Sequence, residues 1–319
     1  MTTPQTGSFA EFHCCTSCPR ECRARRLDGQ LGYCRSGPGF GIGAICVHRG
    51  EEPVLVGSPL PAMGAHGIAN VFFTHCNMQC LYCQNHQISR NRGEIIEHHL
   101  ELPEVVERIE RLLGGGVRTV GFVSPSHCIP QMKAIIGALK GRQPKPIFVM
   151  NTNSYDKVET LASLEGAMDV YLPDLKYMDA DLAARYSDAP DYPDVAAKAL
   201  REMFRQKGSR IEVDDAGYIE SGLIIRHLVL PGQVENSKRC LRWIADHLST
   251  DVHVSLMAQY HPTPAVADHP ELGRRVRPEE YQEVLDELER LGFHRGWTQE
   301  LDSPSSYQPD FAQSHPFEW

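Results

Sequence analysis

His75-Cys76-Asn77-Met78-Gln79-Cys80-Leu81-Tyr82-Cys83-Gln84-Asn85 carries three cysteines at the spacing C-x3-C-x2-C, with a tyrosine directly before the third. An apolar run over residues 68–73 precedes it and indicates a buried strand. Thiolates this close together select soft metal centres, namely iron–sulfur clusters, zinc or copper(I). A structural zinc ion takes four ligands, and an ordinary [4Fe–4S] cluster takes four cysteines. Three cysteines therefore predict a cluster with one iron free for a substrate or cofactor, against the alternatives of buried thiols or an unrelated zinc knuckle.

The spacing of these cysteines resembles the signature of the radical S-adenosylmethionine (SAM) enzymes. The resemblance implies that Cys76, Cys80 and Cys83 hold a [4Fe–4S] cluster and that SAM chelates its fourth iron. It also implies that an electron cleaves SAM to methionine and a 5′-deoxyadenosyl radical, which abstracts hydrogen from a substrate. Tyr82 stands where the family places an aromatic ring against adenine, with a core aromatic as the alternative. The electron donor expected for such an enzyme is reduced flavodoxin or ferredoxin.

Composition and charge narrow the class of protein. The chain has 319 residues, of which 41% are hydrophobic and 23% are charged, as is normal for a globular protein. A net charge of −9 argues against nucleic acid as the main partner, because phosphate binding needs a surplus of lysine and arginine. No apolar run is long enough to span a bilayer, and residues 1–9 lack a signal-peptide core. Eleven cysteines without such a signal indicate a reducing, cytoplasmic setting, where clustered cysteines bind metals.

Residues 13–50 are predicted to form a cysteine-rich metal-binding module. Four cysteines follow the spacing C-x2-C-x3-C-x11-C: Cys15, Cys18, Cys22 and Cys34. Four thiolates suffice for a closed site, either zinc or a second iron–sulfur cluster, and Cys14 is an alternative to Cys15. So small a segment has little core of its own, so that a metal would be its main fold determinant. Residues 1–12 are predicted to be a flexible tail, and 51–67 a connecting loop.

Alternating strand and helix patterns over residues 68–295 predict a barrel. Strand patterns occur at 68–74, 117–124, 146–150, 168–172, 223–230 and 252–257. Helix patterns occur at 103–114, 130–140, 155–165, 179–207, 235–249 and 278–291, and a hairpin pattern covers 209–221. Six βα units imply a parallel sheet with right-handed crossovers. We predict the α/β class and a partial (β/α)6 barrel, as the radical SAM resemblance also implies, with the aromatic segment 296–319 packing over one barrel end.

Polar residues at the ends of the second and third predicted strands are candidates for SAM contact. The second strand pattern ends at Ser124 and is followed by Ser126 and His127, and the third ends before Asn151 and Asn153. Most radical SAM proteins carry a Gly-Gly-Glu-like turn after the second strand, and this chain departs from that pattern because it has no glutamate there. The alternatives are a structural histidine and an Asx turn or helix cap.

Candidates for catalysis or substrate binding lie within or directly after the later strands. They are Asp174, Lys176, Arg226, His227 and Tyr260. A charged arginine inside an apolar strand is costly without a partner, so we expect Arg226 to face an anionic group in the barrel. Together, Lys176 and Arg226 favour an anionic small molecule or chain terminus as the substrate.

Several further blocks are similar to a subfamily described as pyruvate formate-lyase-activating-enzyme-like. They include His48-Arg49-Gly50-Glu51-Glu52-Pro53, Asn151-Thr152-Asn153, and Arg226 to Gly232. This resemblance implies radical SAM chemistry on an unidentified substrate: a glycyl-radical protein, a peptide or a small molecule. The alternatives are a non-catalytic iron–sulfur electron carrier or redox sensor, and a zinc-ribbon interaction module on an inactive barrel.

Overall fold

One mixed β-sheet organises residues 9–57, 67–301 and 308–317, which the computed structural model describes. Its strands are β1 (Phe40–His48), β2 (Ile68–Phe73), β3 (His98–Leu100), β4 (Thr119–Val123), β5 (Ile147–Thr152), β6 (Val170–Pro173), β7 (Glu212–Val213), β8 (Ile219–Leu228), β9 (His253–Met257) and β10 (Gly296–Thr298). The strand order is β10-β9-β8-β6-β5-β4-β2-β1-β3, with β7 paired to β8.

The helices connect the strands of this sheet. They are α1 (Pro53–Val56), α2 (His86–Ser89), α3 (Leu102–Gly114), α4 (Ile129–Leu139), α5 (Val158–Ala162), α6 (Ala180–Ser187), α7 (Tyr192–Lys207), α8 (Val234–His247) and α9 (Pro278–Arg290). No helix in the described part of the chain combines the length and apolarity that crossing a membrane requires.

The parallel strands β2, β4, β5, β6, β8 and β9 lie in chain order, each hydrogen-bonded to the next. They are the six strands that the sequence pattern predicts. Because consecutive parallel strands are joined by helices on one side, the sheet winds in one direction, as in a barrel. The predicted α/β partial barrel is confirmed.

Side-chain alternation along the strands gives the sheet two buried faces. In β2 the side chains of Ala69, Val71 and Phe73 pack in the core cluster beneath the helices, whereas Ile68 packs in a second cluster on the inner face. Leu55 and Val56 of α1 belong to that inner cluster, so α1 fills part of the barrel interior. Because β2 is buried on both faces, most of its successive residues are apolar, which explains the apolar run in the sequence.

The strands β1, β3 and β10 were not predicted. β1 lies within the segment expected to be a separate cysteine-rich module, yet it pairs antiparallel with β2. β10 extends the parallel sheet beyond β9 and begins the segment predicted to pack over the barrel. Phe12, expected in a flexible tail, is fully buried, while residues 1–8 lie outside the described part of the chain. The proposed domain boundaries stay a prediction.

Candidate functional site

The loop carrying the three motif cysteines lies at the C-terminal end of β2. Gln79 N–H donates to Ser187 O and Leu81 N–H donates to Tyr186 O, which anchors the loop to the end of α6. His75, directly before the first cysteine, has a φ of 64°, so the chain turns sharply from the strand into the loop. The loop is therefore fixed at both its entry and its centre.

Each of the three motif sulfurs accepts a hydrogen bond from a nearby donor. The pairs are Met78 N–H to Cys76 Sγ at 3.4 Å, Ser187 Oγ to Cys80 Sγ at 3.0 Å, and Ser89 Oγ to Cys83 Sγ at 3.3 Å. Donors of this kind favour the thiolate over the thiol. Burial, opposed in part by the charge of Lys176, raises the pKa of Cys80 to about 11, so a metal must displace its proton on binding.

Two asparagines fix the first cysteine from the side. Asn153 Nδ2 lies 2.9 Å from Asn77 Oδ1 and 3.5 Å from Cys76 Sγ. The amide of Asn77 donates in turn to Tyr155 O at 2.7 Å. These bonds connect the cysteine loop to the end of β5, so that the predicted residue Asn153 supports the cysteine as well as facing the cavity.

The donor set fits an iron–sulfur cluster better than a single metal ion. Three cysteine sulfurs converge on one cavity, yet among the described residues no three Cys, His, Asp or Glu side chains are close enough to share one ion. A cluster binds each cysteine through a different iron, which spreads its ligands further apart than those of one ion. The three thiols therefore suit a [4Fe–4S] cluster with one iron open.

A cavity of about 450 Å³ opens beside these cysteines. Its walls include the following residues predicted from the sequence: Cys76, Cys80, Cys83, Tyr82, Ser124, Asn151, Asn153, Asp174, Lys176 and Arg226. The hydroxyl of Tyr82 lies 2.6 Å from that of Tyr177, which holds the ring at the cavity wall. A cavity of this size accommodates a cofactor-sized molecule.

The charged groups on the cavity wall are paired within the chain. Lys176 Nζ lies 2.6 Å from Asp174 Oδ2. Although burial lowers the pKa of Lys176, the Asp174 carboxylate and the neighbouring cysteines outweigh it and the net shift is upward. Arg226 donates from Nε to Glu52 Oε1 at 2.7 Å and also contacts Glu51. The anionic partner expected for Arg226 is thus supplied by the protein itself.

The structure does not bring four predicted site residues to the cavity wall. The His127 ring lies 2.8 Å from Thr74 O, and His227 lies between Leu175 O at 2.6 Å and Ser237 Oγ at 2.8 Å. Ser126 Oγ lies 3.3 Å from Thr152 Oγ1, and Tyr260 donates to Leu272 O at 2.6 Å. All four are buried and hydrogen-bonded within the fold, which is a structural placement.

Acidification is expected to destabilise the fold through the two buried histidines. Burial lowers the pKa of His127 to about 3 and that of His227 to about 4, against about 6.5 in an unfolded chain. The unfolded chain therefore takes up these protons first, so their stabilisation is complete above about pH 6.5 and falls as the pH drops toward 4. The expected loss is about 1.4 kcal/mol per pH unit for each ring.

This pH dependence can be measured by urea unfolding at several pH values between about 7.5 and 5. A His227→Gln variant with the same iron content should show a shallower slope than the unsubstituted protein. Equal slopes would contradict a neutral, buried His227.

Sequence reasoning missed several residues that shape the site. Ser187 bonds the Cys80 sulfur, and Glu51 and Glu52 hold Arg226 from a segment before the barrel. Glu51 and Glu52 lie in one of the blocks that resemble the activating-enzyme-like subfamily, so the sequence could have indicated them. No motif in the sequence around Ser187 indicates a role in the site. Phe317 also lines the cavity, and its ring centroid lies 5.5 Å from that of Phe72.

Comparison with known families identifies the class of this site. Residues 70–244 match the family model described as the radical SAM superfamily. That range covers β2, the cysteine loop and the barrel as far as α8. An uncharacterised protein of Methanocaldococcus jannaschii is 28% identical over 285 residues, which are 88% of this chain and 75% of that protein.

Solved structures are similar to this chain in fold. The [FeFe]-hydrogenase maturase HydG is 14% identical with a TM-score of 0.50, over 70% of this chain and 48% of HydG. The chain thus spans about half the length of that maturase. A domain of the pyruvate-formate lyase-activating enzyme from Bacteroides vulgatus is 15% identical with a TM-score of 0.39, over 54% of this chain and 93% of that domain.

Proposed function

Because the chain belongs to the radical SAM superfamily, we propose that it uses a [4Fe–4S] cluster to cleave SAM and to abstract hydrogen from a substrate. The observation that carries the proposal is the meeting of three hydrogen-bonded cysteine sulfurs at the wall of one cavity. When bound, the cluster and SAM supply the reducing electron and the hydrogen-abstracting radical. The remaining residues bind, orient and enclose the reactants.

Cys76, Cys80 and Cys83 are the proposed cluster ligands. Tyr82 is buried directly beside them at the cavity wall, where a flat ring suits stacking with adenine. Asn151, Ser124 and Asn153 offer amide and hydroxyl groups for the polar parts of SAM.

The charges on the cavity wall argue against the anionic substrate that the sequence favoured. Glu51, Glu52 and Asp174 carry three negative charges, while Lys176 and Arg226 carry two positive charges. Each cation is therefore already paired with a carboxylate of the chain. We propose that the substrate enters as a neutral or cationic group: a small molecule, or one residue of a peptide or glycyl-radical protein.

Lys176 is proposed to tune the cluster by its charge, because its field acts on Cys80. Reduction adds negative charge to the cluster, so a Lys176→Met variant should have a more negative midpoint potential, by on the order of tens of millivolts. An anaerobic redox titration followed by electron paramagnetic resonance (EPR) measures this. Lys133→Met, on the outer surface of α4, is the matched control and should leave the potential unchanged. Equal potentials in all three proteins would rule out this role.

The electron donor in this proposal is a reduced flavodoxin or ferredoxin in the cytoplasm. The spacing of Cys15, Cys18, Cys22 and Cys34 adds a second proposed metal centre, either zinc or an iron–sulfur cluster. The enzyme class in this proposal includes an oxidoreductase of the activating-enzyme type.

The test is anaerobic reconstitution with iron and sulfide, followed by chemical reduction and addition of SAM. We expect 5′-deoxyadenosine to form and to be resolved by chromatography, with no product when the reductant is omitted. A fully loaded cluster that yields no 5′-deoxyadenosine, even with candidate substrates present, would favour the electron-carrier or sensor reading instead.

A further inference from the structure

A second group of thiols lies outside the cavity, in the N-terminal segment. Cys15, Cys18 and Cys34 are buried, and Cys22 is exposed. Reciprocal backbone bonds hold the segment together: Cys15 N–H donates to Ala24 O, and Arg23 N–H donates to Cys15 O, both at 3.0 Å. The segment is thus a tight loop with sulfur atoms in its interior.

The exposed cysteine lies against the stretch that carries Cys34. A Cβ added at Gly32, two residues before Cys34, would collide with Cys22 Sγ. Cys22 therefore packs beside the same loop as the buried thiols.

Arg26 supplies the second, independent observation. It is 1% exposed, and its Nη2 lies 3.4 Å from Cys34 Sγ. Its remaining contacts are His127 O at 2.9 Å and the ring of Phe12 at 4.5 Å, while its Nε has no hydrogen-bond partner. Among the described residues no carboxylate lies within ion-pair distance of it.

A buried guanidinium without an anion is energetically costly, because arginine remains charged in proteins. The groups around Arg26 that can become anionic are thiols. Metal binding deprotonates cysteine ligands outright and leaves a thiolate-rich centre with negative charge. Such a centre would supply the counter-charge that Arg26 otherwise lacks.

We propose that Cys15, Cys18, Cys22 and Cys34 bind a second iron–sulfur cluster whose negative charge is balanced by Arg26. Iron–sulfur is favoured over zinc because, among the described residues, no three such side chains are close enough to share one ion. The same holds for Cys76, Cys80 and Cys83. This proposal stands independently of SAM cleavage.

Two other cysteines near this group provide matched controls. Cys14 precedes Cys15 and is exposed. Cys128 is buried on the barrel side, where its Sγ lies 3.8 Å from Ser36 Oγ. Neither is a ligand in this proposal, so Cys14→Ala and Cys128→Ala should keep the iron content of the unsubstituted chain.

The decisive experiment removes the catalytic ligands and asks whether iron remains. After anaerobic reconstitution, the C76A/C80A/C83A variant should retain about four irons and four sulfides, against about eight of each in the unsubstituted protein. It should also show the EPR signal of a reduced cluster. Loss of all iron, or one zinc without sulfide, would overturn the proposal. Neither outcome depends on whether SAM is cleaved, so a failure of the proposed function is recognised separately.

Variants of the module complete the test. Adding Cys34→Ser to the triple variant should remove the remaining iron, whereas adding Cys14→Ala should not. Adding Arg26→Gln should make the midpoint potential of the remaining cluster more negative, and Arg26→Lys should restore most of the shift. A merely structural arginine would change the iron content of the protein and leave the potential of the loaded cluster unaltered, which would refute the counter-charge role.

Discussion

A Cys80→Ala variant is expected to lose 5′-deoxyadenosine formation by at least about a thousandfold, because the reaction without a cluster has only its uncatalysed rate. Cys80 supplies one of three sulfurs at the cavity wall, and its Sγ accepts the Ser187 hydroxyl at 3.0 Å. With two cysteines left, the cluster has too few protein ligands to be retained. Chromatography of 5′-deoxyadenosine and iron analysis of the same samples measure the effect.

The control for this variant is Cys240→Ala. Cys240 is a fully buried thiol on α8 and does not line the cavity. It should therefore keep both iron and activity. If Cys80→Ala retained full activity, the cluster would have to be held elsewhere, and the assignment of the motif would fail.

Removing the charge of Arg226 is expected to lower the free energy of unfolding by about 3–5 kcal/mol, the usual cost of breaking a buried ion pair. The Arg226→Met variant would leave the carboxylates of Glu51 and Glu52 buried without a cation. Within the described part of the chain, their other side-chain partners are Asn70 Nδ2 at 2.9 Å and His48 Nδ1 at 3.1 Å, both on Glu51 Oε1. Urea unfolding at fixed iron content and neutral pH gives the free energy.

Two further variants separate the ion pair from side-chain packing. Combining Arg226→Met with E51Q/E52Q should recover part of the lost stability, because the uncompensated charges are then absent. Arg111→Met removes an arginine from an exposed pair with Glu107 and should leave stability unchanged within error. A similar loss in the single and combined variants would show that packing, and not charge, is responsible.

The core of the fold could be predicted from the sequence because its strands are buried on both faces. β1 was missed since Gly41 and Gly43 interrupt its pattern, and glycine is a poor strand former. The structure explains both glycines: a Cβ at Gly41 would lie 2.5 Å from Thr74 Oγ1, and one at Gly43 would lie 2.8 Å from Ile88. β10, with three residues, is too short to give a pattern.

The candidate site likewise contains residues that the sequence could predict and residues that it could not. Local spacing was enough to find the motif cysteines, but Ser187 and Glu52 reach the site across 107 and 174 residues of chain, beyond any local pattern. Arg226 and His227 were both assigned to the site, although successive strand residues point to opposite faces. Arg226 accordingly lines the cavity and His227 faces α8.

Arg20 connects the N-terminal segment with the catalytic loop, which couples the unfolding of the segment to that of the barrel. Its guanidinium lies over the rings of Tyr33 and Tyr155, at 3.8 and 5.0 Å, and donates to Asn77 O at 2.9 Å and Asp188 O at 2.5 Å. The segment therefore cannot detach without disturbing the residue next to Cys76. On heating, the N-terminal segment and the barrel should therefore unfold together in one cooperative transition. No folded barrel should remain once the segment has unfolded.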